Sequence, residues 1–273
     1  MIDPPLTLEG WLSVRAALIS GNREIHRILL QKGKRSSRLE ELERRAKEQG
    51  VRLEVVSENV LTEHTEGQTH GGVVALVGPR RFVPLADLGR GPQPAFLAML
   101  DGVEDPYNFG QAVRALQAAG AHGLVLRPRN WTSVAATVAR ASAGASEFMP
   151  MAVVETDAEL IDGLKKRSIW LVCTDVGKET TSLYEANLAK ALCVVIGGER
   201  RGVSRDLLAA ADLTLTIPYG RNFKQALGTT SATAVVAFEV LRQRSGASSK
   251  RGDKQHVEQN KPQSNLKIVK KKV

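Results

Sequence analysis

From about residue 94 to residue 245, short uninterrupted apolar runs alternate with stretches whose apolar positions recur three or four apart. The runs are 95–100 (AFLAML), 123–126, 151–154, 169–174, 192–196 and 213–217. Runs of this length predict strands buried on both faces, and the helical spacing between them predicts crossover helices. Together they predict an α/β fold with a parallel sheet covered by helices on both faces. The first 78 residues read as a separate small α/β domain. Trp11, Val14, Ala17 and Leu18 mark a helix that stops near Gly21. Residues 25–30 read as a strand, and Leu39, Leu42 and Ala46 mark an amphipathic helix ending at Gly50. An alternating strand over 51–56, a short helix over 60–66, a turn over 67–72 and a buried strand over 72–77 complete the domain. Residues 79–93, rich in Pro, Gly and Arg, predict a linker to a larger domain over 94–245. Beyond 245 apolar periodicity disappears, which predicts a disordered tail over 246–273.

The stretch 95–127 predicts a strand, a tight loop, a helix and a second strand. Asn108 is placed to cap the helix. Phe109, Val113, Leu116 and Gly120 recur on a buried face, whereas Gln111, Arg114 and Gln117 share another face away from the core. An amide, a helix N-terminus and a guanidinium thus gather beside the end of a buried strand, where open α/β sheets bind ligands. On this stretch alone, an ordinary βαβ unit with a solvated arginine accounts for the pattern as well.

Composition narrows the classes. The chain has 273 residues, enough for two domains, and no apolar run long enough to span a bilayer. Its first residues, MIDPPLTLEGW, lack the basic and apolar regions of a secretory signal. Cys173 and Cys193, the two cysteines, fall inside apolar strand patterns and read as buried free thiols of a reducing, cytoplasmic protein. The five histidines have no ligand spacing, so no metal site is expected. Of the net charge of +9, residues 245–273 carry +6, from eight Lys/Arg against two acids. The tail therefore offers salt-sensitive attraction to phosphates and says little about the folded site.

Three segments carry the candidate chemistry. They are N-x-G-x-x-x-R at Asn108–Arg114, V-I-G-G-E-x-x-G-V-S at Val195–Ser204, and I-P-Y at Ile217–Tyr219, with ASAGA at Ala141–Ala145 between the first two. No G-x-G-x-x-G follows the first strand of the larger domain, and no G-x-x-x-x-G-K-[ST] loop occurs. Gly197, Gly198 and Gly202 crowd one strand end, where glycine lets backbone approach a flat ligand closely, although alone they would suit a plain turn. In order and spacing the segments resemble the motifs of the SpoU/TrmH family of RNA ribose methyltransferases, of the SPOUT class, over residues 10–245. The layout of 1–78, with H-G-G-V-V-A ending at Ala75, resembles the ribosomal-protein-L30e-like substrate-binding domain that precedes many such catalytic domains.

The resemblance implies an S-adenosyl-L-methionine (AdoMet)-dependent transfer of methyl to a ribose 2′-OH, with rRNA favoured over tRNA as partner. It implies a homodimer, a C-terminal trefoil knot and no metal. Arg114, Asn108 and Glu199 match the catalytic positions. Thr174, Gly197, Gly198, Glu199, Ile217 and Leu227 match the cofactor loops. Arg23, Lys34, Arg35, Arg200, Arg201, Arg221 and Lys224 are candidate RNA contacts, each equally readable as a solvated charge. The third motif departs from the family: where S-L-N-[VI]-S is usual, this chain has Ala226-Leu227-Gly228-Thr229-Thr230, one residue later. Two hydrogen-bonding side chains are missing, with Thr229, Thr230 or Ser231 as replacements. That departure keeps open an alternative, a catalytically silent RNA-binding or ribosome-assembly protein on the same fold. Base methylation by a related knotted enzyme fits the first motif less well.

Overall fold

The computed structural model of the protein describes residues 6–65, 70–128, 134–177 and 179–258, with side chains of the last helix to residue 245. The N-terminal part comprises β1 (Leu6–Glu9), α1 (Trp11–Ser20), β2 (Ile25–Gln31), α2 (Ser37–Glu48), β3 (Leu53–Val56), α3 (Glu58–Glu63) and β4 (Val73–Val77). Its sheet runs β1-β4-β2-β3, with β4 antiparallel to both neighbours and β2–β3 parallel. Ser36 caps α2 by accepting from the Leu39 amide at 3.3 Å, and Leu39, Leu42 and Ala46 are its buried face, as the periodicity predicts. The four-residue β1 is an addition to the expected elements.

The larger part begins with β5 (Phe96–Asp101), α4 (Pro106–Ala118), β6 (Gly123–Leu126), α5 (Ala135–Ala141), α6 (Ala145–Phe148), β7 (Met151–Val153) and α7 (Asp157–Lys165). It continues with β8 (Trp170–Thr174), β9 (Thr181–Ser182), β10 (Leu192–Gly197), α8 (Arg205–Ala209), β11 (Leu213–Thr216) and α9 (Thr229–Glu258). The sheet order is β7-β6-β5-β10-β8-β11-β9, and all its pairings are parallel. Alternation along the central strands explains their unbroken apolar sequence. Phe96, Ala98 and Leu100 of β5 enter the core under α4 and α9, whereas Leu97 and Met99 enter the core under α7 and α8. Both cysteines are buried and free. Burial, with Asp101 and Asp175 adding to it, pushes the Cys173 thiol up to about 12, and burial pushes Cys193 up as well. A thiol reagent at pH 8 is expected to label neither in the native protein and both after unfolding.

Two expectations need correction. The cap of α4 is Asp105, whose carboxylate accepts from the Asn108 amide at 2.8 Å; Pro106 opens the helix, and Asn108 lies inside its first turn. At the other end of the chain α9 runs to Glu258, so the first part of the segment read as a disordered tail is helical. The tail over 259–273 lies outside the described residues. Segment 79–93 contains no helix or strand, yet it is anchored: Leu88 is fully buried in the α7–α8 core, against Gly123.

The two parts meet through α1, α5 and α6. Arg23 donates from Nε and Nη2 to the two carboxylate oxygens of Glu147 at 2.8 and 3.1 Å, and Asn22 donates to the Glu147 carbonyl at 2.8 Å. Arg23 was expected to contact RNA phosphate. Its side chain is only 6% exposed and its fork is occupied, so in this structure it joins the two parts instead. Glu147→Gln would leave Arg23 and the adjacent Arg80 without a carboxylate. The expected loss is about 3–5 kcal/mol of stability, measured by urea unfolding.

Candidate active site

Three parallel strands end side by side, and their loops make the site. β5 ends at Asp101, whose carbonyl accepts from the Gly198 amide at 2.7 Å and whose carboxylate accepts from the Ser204 amide at 3.1 Å. The loop after β10 is thereby stitched to the loop that leads into α4. The first turn of α9 closes over both. Glu199 accepts from the Thr229 amide at 3.2 Å, the Thr229 hydroxyl reaches the Gly197 carbonyl at 3.5 Å, and the Thr230 hydroxyl donates to the Asn108 carbonyl at 3.4 Å. The three sequence segments, far apart along the chain, are thus joined by direct hydrogen bonds.

Glycine makes this convergence possible. A Cβ at Gly197 would lie 2.6 Å from the Gly202 Cα and the Val203 nitrogen; one at Gly198 would meet the Gly102 backbone. Gly110, the glycine of the first segment, faces α5: a Cβ there would lie 2.7 Å from the Ala141 Cβ and 2.9 Å from the Val138 carbonyl oxygen. It allows α4 and the ASAGA segment to pack at backbone distance. Gly110→Ala is expected to cost about 1–3 kcal/mol by overpacking, visible as a lower Tm.

Two concavities share the wall Gly198–Glu199–Arg201. One, of about 350 Å³, is lined by all six residues expected to hold the cofactor: Thr174, Gly197, Gly198, Glu199, Ile217 and Leu227. Its lining is largely apolar, and at Gly197, Gly198 and Gly202 no side chain stands in the wall. The other, of about 330 Å³, is polar and is lined by Asp105, Asn108, Glu199, Arg200, Arg201 and Thr229 among others. Of the candidate RNA contacts, Arg200 and Arg201 therefore border the site. Arg221 and Lys224 are exposed on the loop between β11 and α9, and Lys34 and Arg35 are exposed on the N-terminal part, where Lys34 borders a groove with Trp11 and Arg38.

Arg114 is exposed on the third turn of α4, on one face with Tyr107 and Gln111, and lines neither concavity of its own chain. Two contributors escaped the sequence reading. Asp101 joins two loops, and the signal for it was its place directly after an apolar run. Tyr219 lines the first concavity and its hydroxyl accepts from the Leu227 amide at 2.9 Å. It is the last residue of the I-P-Y segment. The altered third segment is thus held by Tyr219 and Glu199; a Cβ at Gly228 would stand 3.2 Å from the Glu199 carboxylate. Among the described residues no cluster of His, Cys, Asp and Glu could hold a metal ion, and no helix is long and apolar enough to cross a membrane.

Comparison with known proteins places this geometry. Residues 95–238 match the SpoU rRNA methylase family, and residues 7–83 match the substrate-binding domain of RNA 2′-O ribose methyltransferases. The chain is 32% identical over 238 residues to the 23S rRNA (guanosine-2′-O-)-methyltransferase RlmB of Shewanella oneidensis, covering 86% of this chain and 96% of that one. To RlmB of Escherichia coli K12 it is 30% identical, covering 86% and 98%. A solved RNA 2′-O ribose methyltransferase superposes with a TM-score of 0.71 at 26% identity, covering 87% of this chain and 88% of the other. The fold is shared with AviRb of Streptomyces viridochromogenes, solved with AdoMet, at a TM-score of 0.73 and 21% identity over 88% and 90% of the two chains.

Proposed function

Since the chain belongs to the SpoU rRNA methylase family, we propose that it methylates a ribose 2′-OH of ribosomal RNA with AdoMet as methyl donor. The observation that carries this reading is the pair of concavities with a common wall at Gly198–Glu199–Arg201, one largely apolar, the other polar and bordered by arginines. AdoMet supplies an electrophilic methyl group on a sulfonium, which needs no metal to leave. The chain's residues supply the rest. Thr174, Gly197, Gly198, Ile217 and Leu227 hold the donor against backbone. Asn108 and Glu199 fix the loops, and Arg200 and Arg201 attract the RNA phosphates. Arg114 stabilises the developing alkoxide and orients the neighbouring phosphate.

The face carrying Tyr107, Gln111 and Arg114 is completed by a second copy of the chain, so that Arg114 serves the partner's site. Phe238 and Arg242, exposed on α9, border the same homodimer contact. The N-terminal part, with Lys34, Arg35 and an L30e-like layout, grips structured RNA, and the basic residues after 245 add non-specific attraction. The knotted path belongs to the same reading. The test is methylation of purified rRNA and tRNA, each with labelled AdoMet. A methylated 2′-oxygen cannot attack the adjacent 3′-phosphodiester, so alkaline hydrolysis spares that one linkage. Transfer to rRNA and not to tRNA supports the proposal. AdoMet binding by calorimetry without transfer to either RNA would leave the silent RNA-binding reading, which Ala226 and Gly228 favour.

A further inference from the structure

Between the two parts of the chain lies a cavity of about 200 Å³ that methyl transfer does not use. Most of its wall is apolar, formed by Leu6, Phe82, Phe109, Leu126, Val138 and Met151. One side is charged and carries Arg23, Arg80 and Glu147. Both oxygens of Glu147 are taken by Arg23. Arg80 gives Nη2 to the Met149 carbonyl, but its Nε and Nη1 are buried and have no hydrogen-bond partner. The nearer Glu147 oxygen stands 3.6 Å from Nη1, too far for a hydrogen bond. The Arg80 side chain is only 8% exposed.

Two buried guanidiniums therefore face one carboxylate. An uncompensated charge in an apolar enclosure is among the costliest arrangements a protein can hold. Burial, opposed by Glu147 and reinforced by Arg23, brings the Arg80 pKa down to about 10, so the cation persists at neutral pH. The missing element is a single negative charge.

We propose that this cavity is a binding site for a small monocarboxylate with an apolar body, an aromatic or branched aliphatic acid, its carboxylate on Arg80 and its hydrocarbon among Phe82, Phe109 and Val138. The volume lies below that of drug-sized pockets, which restricts the ligand to a small one. Phe109 adjoins Asn108 on α4, so the occupant packs against the back of the helix whose front borders the active site. The assignment stands independently of the methyl-transfer reading.

The full chain is titrated with benzoate and isovalerate at constant ionic strength, with chloride and inorganic phosphate in parallel, reading Tm and calorimetric heat. The expected result is a saturable rise in Tm with the organic acids, absent with the inorganic ions and abolished in Arg80→Met. That variant removes one of the two buried guanidiniums that share Glu147 and is expected to melt no lower than the parent. A second variant, Ala135→Leu, keeps Arg80 and fills the cavity; it too should abolish the rise. An equal rise with chloride, or an unaltered titration in both variants, overturns the proposal. Asp3, a carboxylate outside the described residues, is tested by Asp3→Asn. Unchanged benzoate affinity supports a free ligand, and a tenfold gain would show that the chain fills the site itself.

Discussion

Arg114→Ala is expected to lower methyl transfer by about 10²-fold or more, a typical loss for a group that stabilises charge in the transition state, with fold and AdoMet affinity nearly unchanged. The side chain is exposed, and no hydrogen bond or ion pair holds it among the described residues. Its removal should shift stability by no more than about 0.5 kcal/mol. Arg114→Lys keeps the charge without the planar fork and should recover only part of the rate. Arg114 lines neither concavity of its own chain, and in the proposed homodimer it serves the site of a second protomer. Mixing Arg114→Ala with a Glu199→Ala chain should therefore regain a fraction of the activity, since some mixed dimers carry one intact composite site. Wild-type single-turnover rates in Arg114→Ala would refute the role. A monomeric mass in light scattering would refute the composite site.

Gly198→Ala should produce the largest loss of cofactor binding. A Cβ at this position would be driven into the carbonyl of Gly102 and would stand 2.8 Å from its carbonyl carbon and 3.3 Å from the Asp101 carbonyl oxygen, with no flexible side chain to yield. The clash falls on the 2.7 Å hydrogen bond from Gly198 to Asp101, which joins the two loops. Relief requires the loops to separate, and a displacement of about 1 Å in a positioned site can cost 10²-fold. AdoMet affinity measured by calorimetry is expected to fall by at least that factor, with about 1–3 kcal/mol of stability lost to overpacking. An alanine variant that binds AdoMet normally would show that the wall at Gly198 does not face the donor.

What the sequence revealed follows from how locally each feature is determined. The central strands were legible because burial on both faces leaves no polar position in Phe96–Leu100 or Leu192–Ile196. The six residues that the resemblance assigns to the cofactor loops line one concavity. β1 was missed because Leu6–Glu9 is short and its first half is only partly buried. The α4 cap was misplaced because Asp105 and Asn108 are both good capping residues; Pro106 between them was the overlooked signal, since proline suits the first helical position. Arg23 was misread for a different reason. A cluster of basic residues reads as a surface, whereas its carboxylate partner lies 124 residues away, and no local pattern reports such a pairing. The same holds for Arg80, whose place in segment 79–93 suggested only a linker.

The last helix has a consequence for when the protein becomes competent. α9 is fastened at one end by Glu199 and Asn108 and further along by Arg244, which donates to the carbonyls of Pro94, Ala95 and Lys190 at 2.6, 3.0 and 2.8 Å. These contacts span up to 150 residues. During synthesis the sheet strands through β11 can pair before α9 exists, but the roof of the site cannot. A nascent chain thus carries an open, unfinished site until α9 has formed. Contacts of such long sequence separation also form slowly. Completion of the site therefore waits on the last helix to be made.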